Sequence, residues 1–105
     1  MDLSSIMQQA RDMHEKMAKI QNELANKTIT GSAGGGMVNV EATGRGDIIS
    51  VKIEPELINP AEATMLQDLV TAAVNDALRK ARELAKQEMT RLTGGIQIPG
   101  VTNLF

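Results

Sequence analysis

Residues 59–95 read NPAEATMLQDLVTAAVNDALRKARELAKQEMTRLTGG, and this stretch decides the fold. Asn59 suits a helix cap, Pro60 the first helical position, and Glu62, three residues after Asn59, completes a capping-box pattern. Gly94-Gly95 supplies the stop. Between these signals Leu66, Leu69, Val70, Ala73, Val74, Ala77, Leu78, Ala81, Leu84 and Ala85 recur at helical spacing, uninterrupted by proline or glycine. Such a helix is roughly 50 Å long, whereas strands of about seven residues span roughly 23 Å. Half of the helix is therefore expected to overhang its own sheet, leaving an apolar stripe around Val70, Ala77 and Leu84 uncovered. A second copy of the chain is the simplest cover. Val70, Ala73, Ala77 and Leu84 are accordingly assigned to a dimer or core face.

Upstream of this helix the period of the sequence is two. Lys27 to Ser32, Met37 to Thr43 and Ile48 to Glu54 are strand candidates. In the second, Val38, Val40 and Ala42 share one face against Asn39, Glu41 and Thr43. In the third, Ile49, Val51 and Ile53 alternate with Ser50 and Lys52. Gly31 to Gly36 forms a flexible connection, and the four-residue turn Gly44-Arg45-Gly46-Asp47 implies an antiparallel hairpin. Pro55 ends the ladder. Leu3 to about Ala25 is another helix. Leu3, Ala10, Met17 and Leu24 fall seven apart, with Ile6, Met13 and Ile20 between them, a pattern that fits either a short coiled-coil seam or, preferably, a helix packed on the sheet. Asp12–Lys16 and Glu15–Lys19 have the spacing of favourable ion pairs. Residues 96–105 are expected to form a flexible tail or to dock on a partner.

The chain of 105 residues is expected to form a single domain over residues 1–105. It is 42% apolar but has one aromatic, Phe105, and no cysteine. A core of Leu, Ile, Val, Ala and Met gains little from aromatic burial, which favours association. The absence of cysteine excludes a disulfide framework and thiolate metal sites. No basic leader or membrane-length apolar run is present, so a soluble cytoplasmic protein is expected, with no membrane partner.

The glycine run lacks the Gly-Lys-Ser/Thr ending of a phosphate loop and is followed by a strand, so it reads as a hairpin connection. Arg45-Gly46-Asp47 spells an adhesion tripeptide but reads as turn chemistry. His14 has no nucleophile beside it, and no cluster of carboxylates or histidines has metal-ligand spacing. No enzyme, cofactor, metal or small-molecule substrate is indicated. The net charge of −2 argues mildly against nucleic acid, yet its distribution is uneven. Residues 60–76 carry Glu62, Asp68 and Asp76 with no base. Residues 77–92 carry Arg79, Lys80, Arg82, Lys86 and Arg91 against Glu83 and Glu88. That polarity suits the helix dipole. Asn75, Arg79, Arg82 and Lys86 nonetheless form one stripe, roughly opposite the apolar face, that can reach phosphate oxygens. With almost no aromatics the surface cannot stack unpaired bases, so a duplex is the better target.

Several segments together carry a resemblance across essentially the whole chain. They are Met7-Gln8-Gln9-Ala10 with Met13 and Met17, residues 30–38 (TGSAGGGMV), residues 51–57 (VKIEPEL), residues 66–77 (LQDLVTAAVNDA), Met89, Thr93-Gly94-Gly95 and Pro99-Gly100. In this order and spacing the chain resembles the YbaB/EbfC family of bacterial nucleoid-associated proteins. The resemblance implies an α+β fold, with an N-terminal helix, a three-stranded antiparallel sheet and a long C-terminal helix. It also implies an intertwined, tweezer-like homodimer that lays its helices against the sheet. It implies no enzymatic activity and no cofactor. The function implied is binding of double-stranded DNA with little sequence preference, in the nucleoid, for chromosome organisation or gene regulation. The resemblance further implies that the helices carry the DNA contacts, which here would be Arg11, Lys16 and Lys19 on the first and Arg79, Arg82 and Lys86 on the second. The rival reading is a protein–protein adaptor that uses exposed Met-rich helix faces.

Overall fold

The computed structural model describes residues 2–92. Helix α1 spans Leu3–Ala25 and is followed by strands β1 (Thr28–Ala33), β2 (Val38–Thr43) and β3 (Ile48–Ile53). Two single 3₁₀ turns, Pro55–Leu57 and Pro60–Glu62, lead into helix α2 (Ala63–Leu92). The α+β architecture is the one expected. The expected helix stop at Gly94-Gly95 and the tail lie outside the described residues.

Helix entry is solved differently at the two helices. Asp2 caps α1, its carboxylate accepting from the Ser4 N–H at 3.2 Å. Asn59 caps nothing with its side chain, and the expected capping box is absent. Its Nδ2 instead donates to the Glu56 carbonyl at 2.9 Å, closing the preceding turn. With that side chain engaged upstream, Pro60–Glu62 tightens into a 3₁₀ turn and regular α-helix begins at Ala63. Prolines at the start of each short turn cost no hydrogen bond there.

The three strands form an antiparallel sheet in the order β1-β2-β3. Strand β1 runs through Gly31-Ser32-Ala33, so the connection to β2 is shorter than the sequence suggests. Gly34, Gly35 and Gly36 all have positive φ, which makes this turn accessible to glycine and strained for other residues. Gly31 serves a different purpose. A Cβ there would collide with the Ala77 nitrogen and lie 2.6 Å from the Ala73 carbonyl oxygen. The strand and helix backbones touch at this point, which requires both a glycine and the small residues facing it.

Helix α2 lies over β1 and β2. Val38, Val40 and Ala42, the inward face of β2, are fully buried with Leu57, Ala73 and Ala77. Val70, half-buried, packs on this cluster with Leu66, Leu69 and Val74. Beyond the sheet α2 is not bare, contrary to the overhang expected from its length. The last turns of α1 cover it, and Ile20, Leu24, Ala85 and Met89 make a second core, with Met17, Leu84 and Leu92 beside it.

Helix α1 does not lie on the sheet, as its apolar stripe suggested. Ile20 and Leu24 are its only buried residues among those described, and Leu3, Ile6, Met7 and Met13 are exposed. An apolar stripe specifies that a helix needs a cover, not which surface supplies it. Of the alternating residues of β3, Ile53 alone packs on the first core. Ile48, Ile49 and Val51 are exposed, because α2 stops short of this edge strand and a bulge at Glu41/Ala42 shifts its register. Uncovered apolar surface therefore lies on β3, Ile58, Met65 and the free half of α1. The Cα radius of gyration is 18.8 Å, with extents of 69 × 22 × 17 Å, against about 13 Å for a compact chain of this length. Among the described residues no helix is long and apolar enough to cross a membrane.

Candidate nucleic-acid interface

The expected cations are all exposed: Arg11, Lys16 and Lys19 on α1, and Arg79, Arg82 and Lys86, with Asn75, on α2. They differ in how much of their charge is already compensated. Arg79 donates to Asp76 at 2.7 Å and to Glu83 at 3.0 Å. Lys80 reaches Asp76 at 3.2 Å and the Thr30 carbonyl at 3.1 Å. Asp76 also accepts from the Ser32 N–H at 3.0 Å, tying α2 to β1. That backbone hydrogen bond, then Arg79 and Lys80, hold the Asp76 carboxyl at a pKa of about 2. Two cations and two carboxylates thus form a locally neutral cluster, in which Arg79 is raised above the usual arginine value chiefly by Asp76. The spacings i, i+3 and i, i+4 around Arg79 are the signal for this pairing in the sequence.

On α1 the expected pairs Asp12–Lys16 and Glu15–Lys19 do not form. Asp12 accepts from Gln8 Nε2 at 2.9 Å instead. Of the eleven lysines and arginines, Lys27, Lys52, Arg79, Lys80 and Arg91 are ion-paired. The remaining six, Arg11, Lys16, Lys19, Arg45, Arg82 and Lys86, have no ion-pair partner among the described residues. All six project from α1, α2 or the β2–β3 turn, and none from a strand.

The junction of α1 with α2 is flanked by two clefts. One is lined by Lys16, Lys19, Ile20, Glu23, Glu88, Arg91 and Leu92, with a volume of about 280 Å³. The other, of about 360 Å³, brings Gln21 of α1 and Gly44-Arg45-Gly46 of the turn against Leu78, Ala81, Arg82 and Ala85 of α2. Arg45 went unrecognised in the sequence, where its tripeptide reads as turn chemistry and its distance from Arg82 conceals their proximity. The stripe expected on α2 is thereby split: Arg82 faces the second cleft, and Arg79 is held by its own helix.

The profile of the YbaB/EbfC DNA-binding family matches residues 1–96. The chain belongs to this family. Among its relatives, nucleoid-associated protein DP1429 of Desulfotalea psychrophila is 62% identical over 105 residues, covering 100% of this chain and 99% of that one. A nucleoid-associated protein of Pelotomaculum thermopropionicum is 47% identical, with 95% of each chain covered. The crystal structure of the uncharacterized protein HP0035 from Helicobacter pylori superposes with a TM-score of 0.79 at 26% identity, covering 90% of this chain and 99% of that one. In this chain the two helices meet at one end, with basic side chains on either side of their junction. Nothing in these relatives supports the adaptor reading.

Proposed function

We propose that this member of the DNA-binding family is a nucleoid-associated protein that binds duplex DNA as a homodimer, with little sequence preference, in chromosome organisation or gene regulation. The observation that carries this reading is the set of six exposed cations without ion-pair partners among the described residues, all on the two helices and the adjoining turn, in a chain of negative net charge. Guanidinium and ammonium groups not held in ion pairs are ready to replace condensed counterions on a phosphate backbone. Such contacts fix position on the duplex and carry no sequence information. No aromatic side chain lies among the described residues to stack on bases. The names of the relatives support the nucleoid assignment.

The homodimer rests on the uncovered apolar surface of β3, with Ile58 and Met65 beyond its end. Each aliphatic side chain taken from water there contributes about 1.5–3 kcal/mol. An edge strand also offers a row of unpaired backbone groups to a second copy. The chemistry is electrostatic docking, with no catalytic step.

The test is fluorescence anisotropy on unrelated duplexes over a salt series, with single-stranded DNA as competitor at equal phosphate concentration. The expected result is similar affinity for all duplexes, a steep negative salt dependence and weak competition by the single strand. Tighter binding to single strands, or no binding to any duplex at low salt, would refute the reading.

A further inference from the structure

The two clefts beside the α1–α2 junction differ in charge. The cleft under Lys16 and Lys19 also holds Arg91, but Glu23 and Glu88 line it too. The cleft under the β2–β3 turn holds Arg45 and Arg82 and no acidic residue. Its floor is Leu78, Ala81 and Ala85, and the Gln21 amide stands at its wall. Asp47, next in the turn, forms no ion pair with Arg45, and among the described residues no carboxylate pairs with Arg82.

The turn that carries Arg45 is fixed from several sides. Thr43 N–H donates to the Asp47 carbonyl at 2.8 Å, and Gly46 N–H to the Thr43 carbonyl at 2.9 Å. Thr43 Oγ1 accepts from the backbone N–H groups of Arg45 at 3.3 Å and Asp47 at 3.2 Å. Gly44 N–H donates to the Leu24 carbonyl at 2.9 Å, pinning the turn to the end of α1. A Cβ on Gly44 would sit 2.8 Å from that same carbonyl oxygen, so this close seat needs glycine. Gly46, at φ +91°, reverses the chain over Leu78.

The geometry points to this cleft as the seat of one phosphodiester of the duplex backbone, gripped from two sides by Arg45 and Arg82. Guanidinium forks match phosphate oxygens, and two of them arriving from different elements restrict the approach as one long side chain does not. The apolar floor of Leu78, Ala81 and Ala85 strengthens the contact by lowering the local polarity, and the Gln21 amide can donate to one of the two non-bridging oxygens. The assignment rests on the DNA-binding reading and adds a residue, Arg45, from outside the helices.

The experiment measures duplex affinity against salt for wild type, Arg45→Gln, Arg82→Gln, the double variant and Arg79→Gln, with far-UV circular dichroism as the check on folding. In a dimer with one phosphodiester in each of two clefts, the double variant is expected to reduce the slope of log K against log salt by about two, and each single cleft substitution by about half of that. Arg79→Gln, whose charge is already compensated, is expected to change the slope less than either. Wild-type binding with an unchanged slope in Arg45→Gln would overturn the cleft while leaving the DNA-binding reading intact. Failure of the wild type to bind duplex would overturn both. A thermal shift with inorganic phosphate that Arg45→Gln abolishes, with duplex binding unaltered, would make the cleft a free-anion site and refute the assignment to DNA.

Discussion

Glu88 is the one charged residue among those described that is buried, at 6% exposure, and a carboxylate in that position must be compensated. Lys27 Nζ donates to it at 2.9 Å and Arg91 at 2.9 and 3.0 Å, so it ties the α1–β1 link to the last turns of α2. The Lys27 hydrogen bond is the main influence that lowers its pKa, against the opposing effect of burial. Asp76 is lowered from 3.8 to about 2 by its Ser32, Arg79 and Lys80 contacts. Both are depressed carboxylates, so each stabilises the fold fully above its unfolded value and loses that contribution as pH falls through its folded one. For Asp76 the window runs from 3.8 down to about 2, and for Glu88 it opens at 4.5. The melting temperature is therefore expected to hold steady above about pH 5 and to fall below it. Glu88→Gln should melt lower than wild type near neutral pH and converge with it in acid. A gap that stays constant across the titration would mean that Glu88 contributes through packing rather than charge. At this scale the sequence is readable where partners are neighbours, as Asp76, Arg79 and Glu83 are. It is silent where they are distant, as with Lys27 and Glu88, or Arg45 and Arg82.

At the scale of elements, Leu24 decides how α1 is held. It is fully buried, sits in the second core with Ile20, Ala85 and Met89, and its carbonyl accepts the Gly44 N–H that pins the β2–β3 turn. Leu24→Ala is expected to cost about 2–5 kcal/mol, measured by urea denaturation. Because α1 contacts the rest of the protomer mainly through its last turns, it should also speed amide exchange along α1 more than along α2. Equal acceleration in both helices would show that α1 is held elsewhere. The number, order and direction of these elements are legible from periodicity, because the switch between 3.6 and 2 is sharp at Lys27 and again at Pro55. The boundaries agree within a residue or two, except where the Asn59 side chain turns back to Glu56 and delays α2. What periodicity could not supply was the partner of each face. The stripe of α1 meets α2 rather than the sheet, and the α2 overhang is covered within the same chain. Gly31 seats on Ala73 and Ala77 in the first half of α2, and the second half, with Ala85 and Met89, is the part that α1 covers.

The whole molecule is a rod, 69 Å long and 17–22 Å across, whose uncovered apolar surface lies on β3 and whose free cations lie on the helices and the turn. In the proposed dimer this separation would let β3 join two copies while the basic side chains stay open to DNA. Val51 tests it. The residue pairs in register with buried Val40, yet is itself 42% exposed at the sheet edge. A charge there costs little in a free protomer, which keeps it in water. In a dimer joined through β3 the same charge is buried without a partner and costs several kcal/mol, on the order of 2–5. Val51→Asp should therefore sediment as a monomer at micromolar concentration, where wild type sediments as a dimer, with the helical signal in circular dichroism retained. Duplex affinity should fall steeply, because joining two basic surfaces gains effective concentration that neither has alone. The salt slope should fall by about half, since each bound particle then displaces counterions from one protomer's contacts rather than two. If Val51→Asp remains a dimer, β3 is not the joint and the free half of α1 takes its place. If wild type is itself a stable monomer at that concentration, the homodimer is wrong, and the apolar surface on β3 is left without a cover.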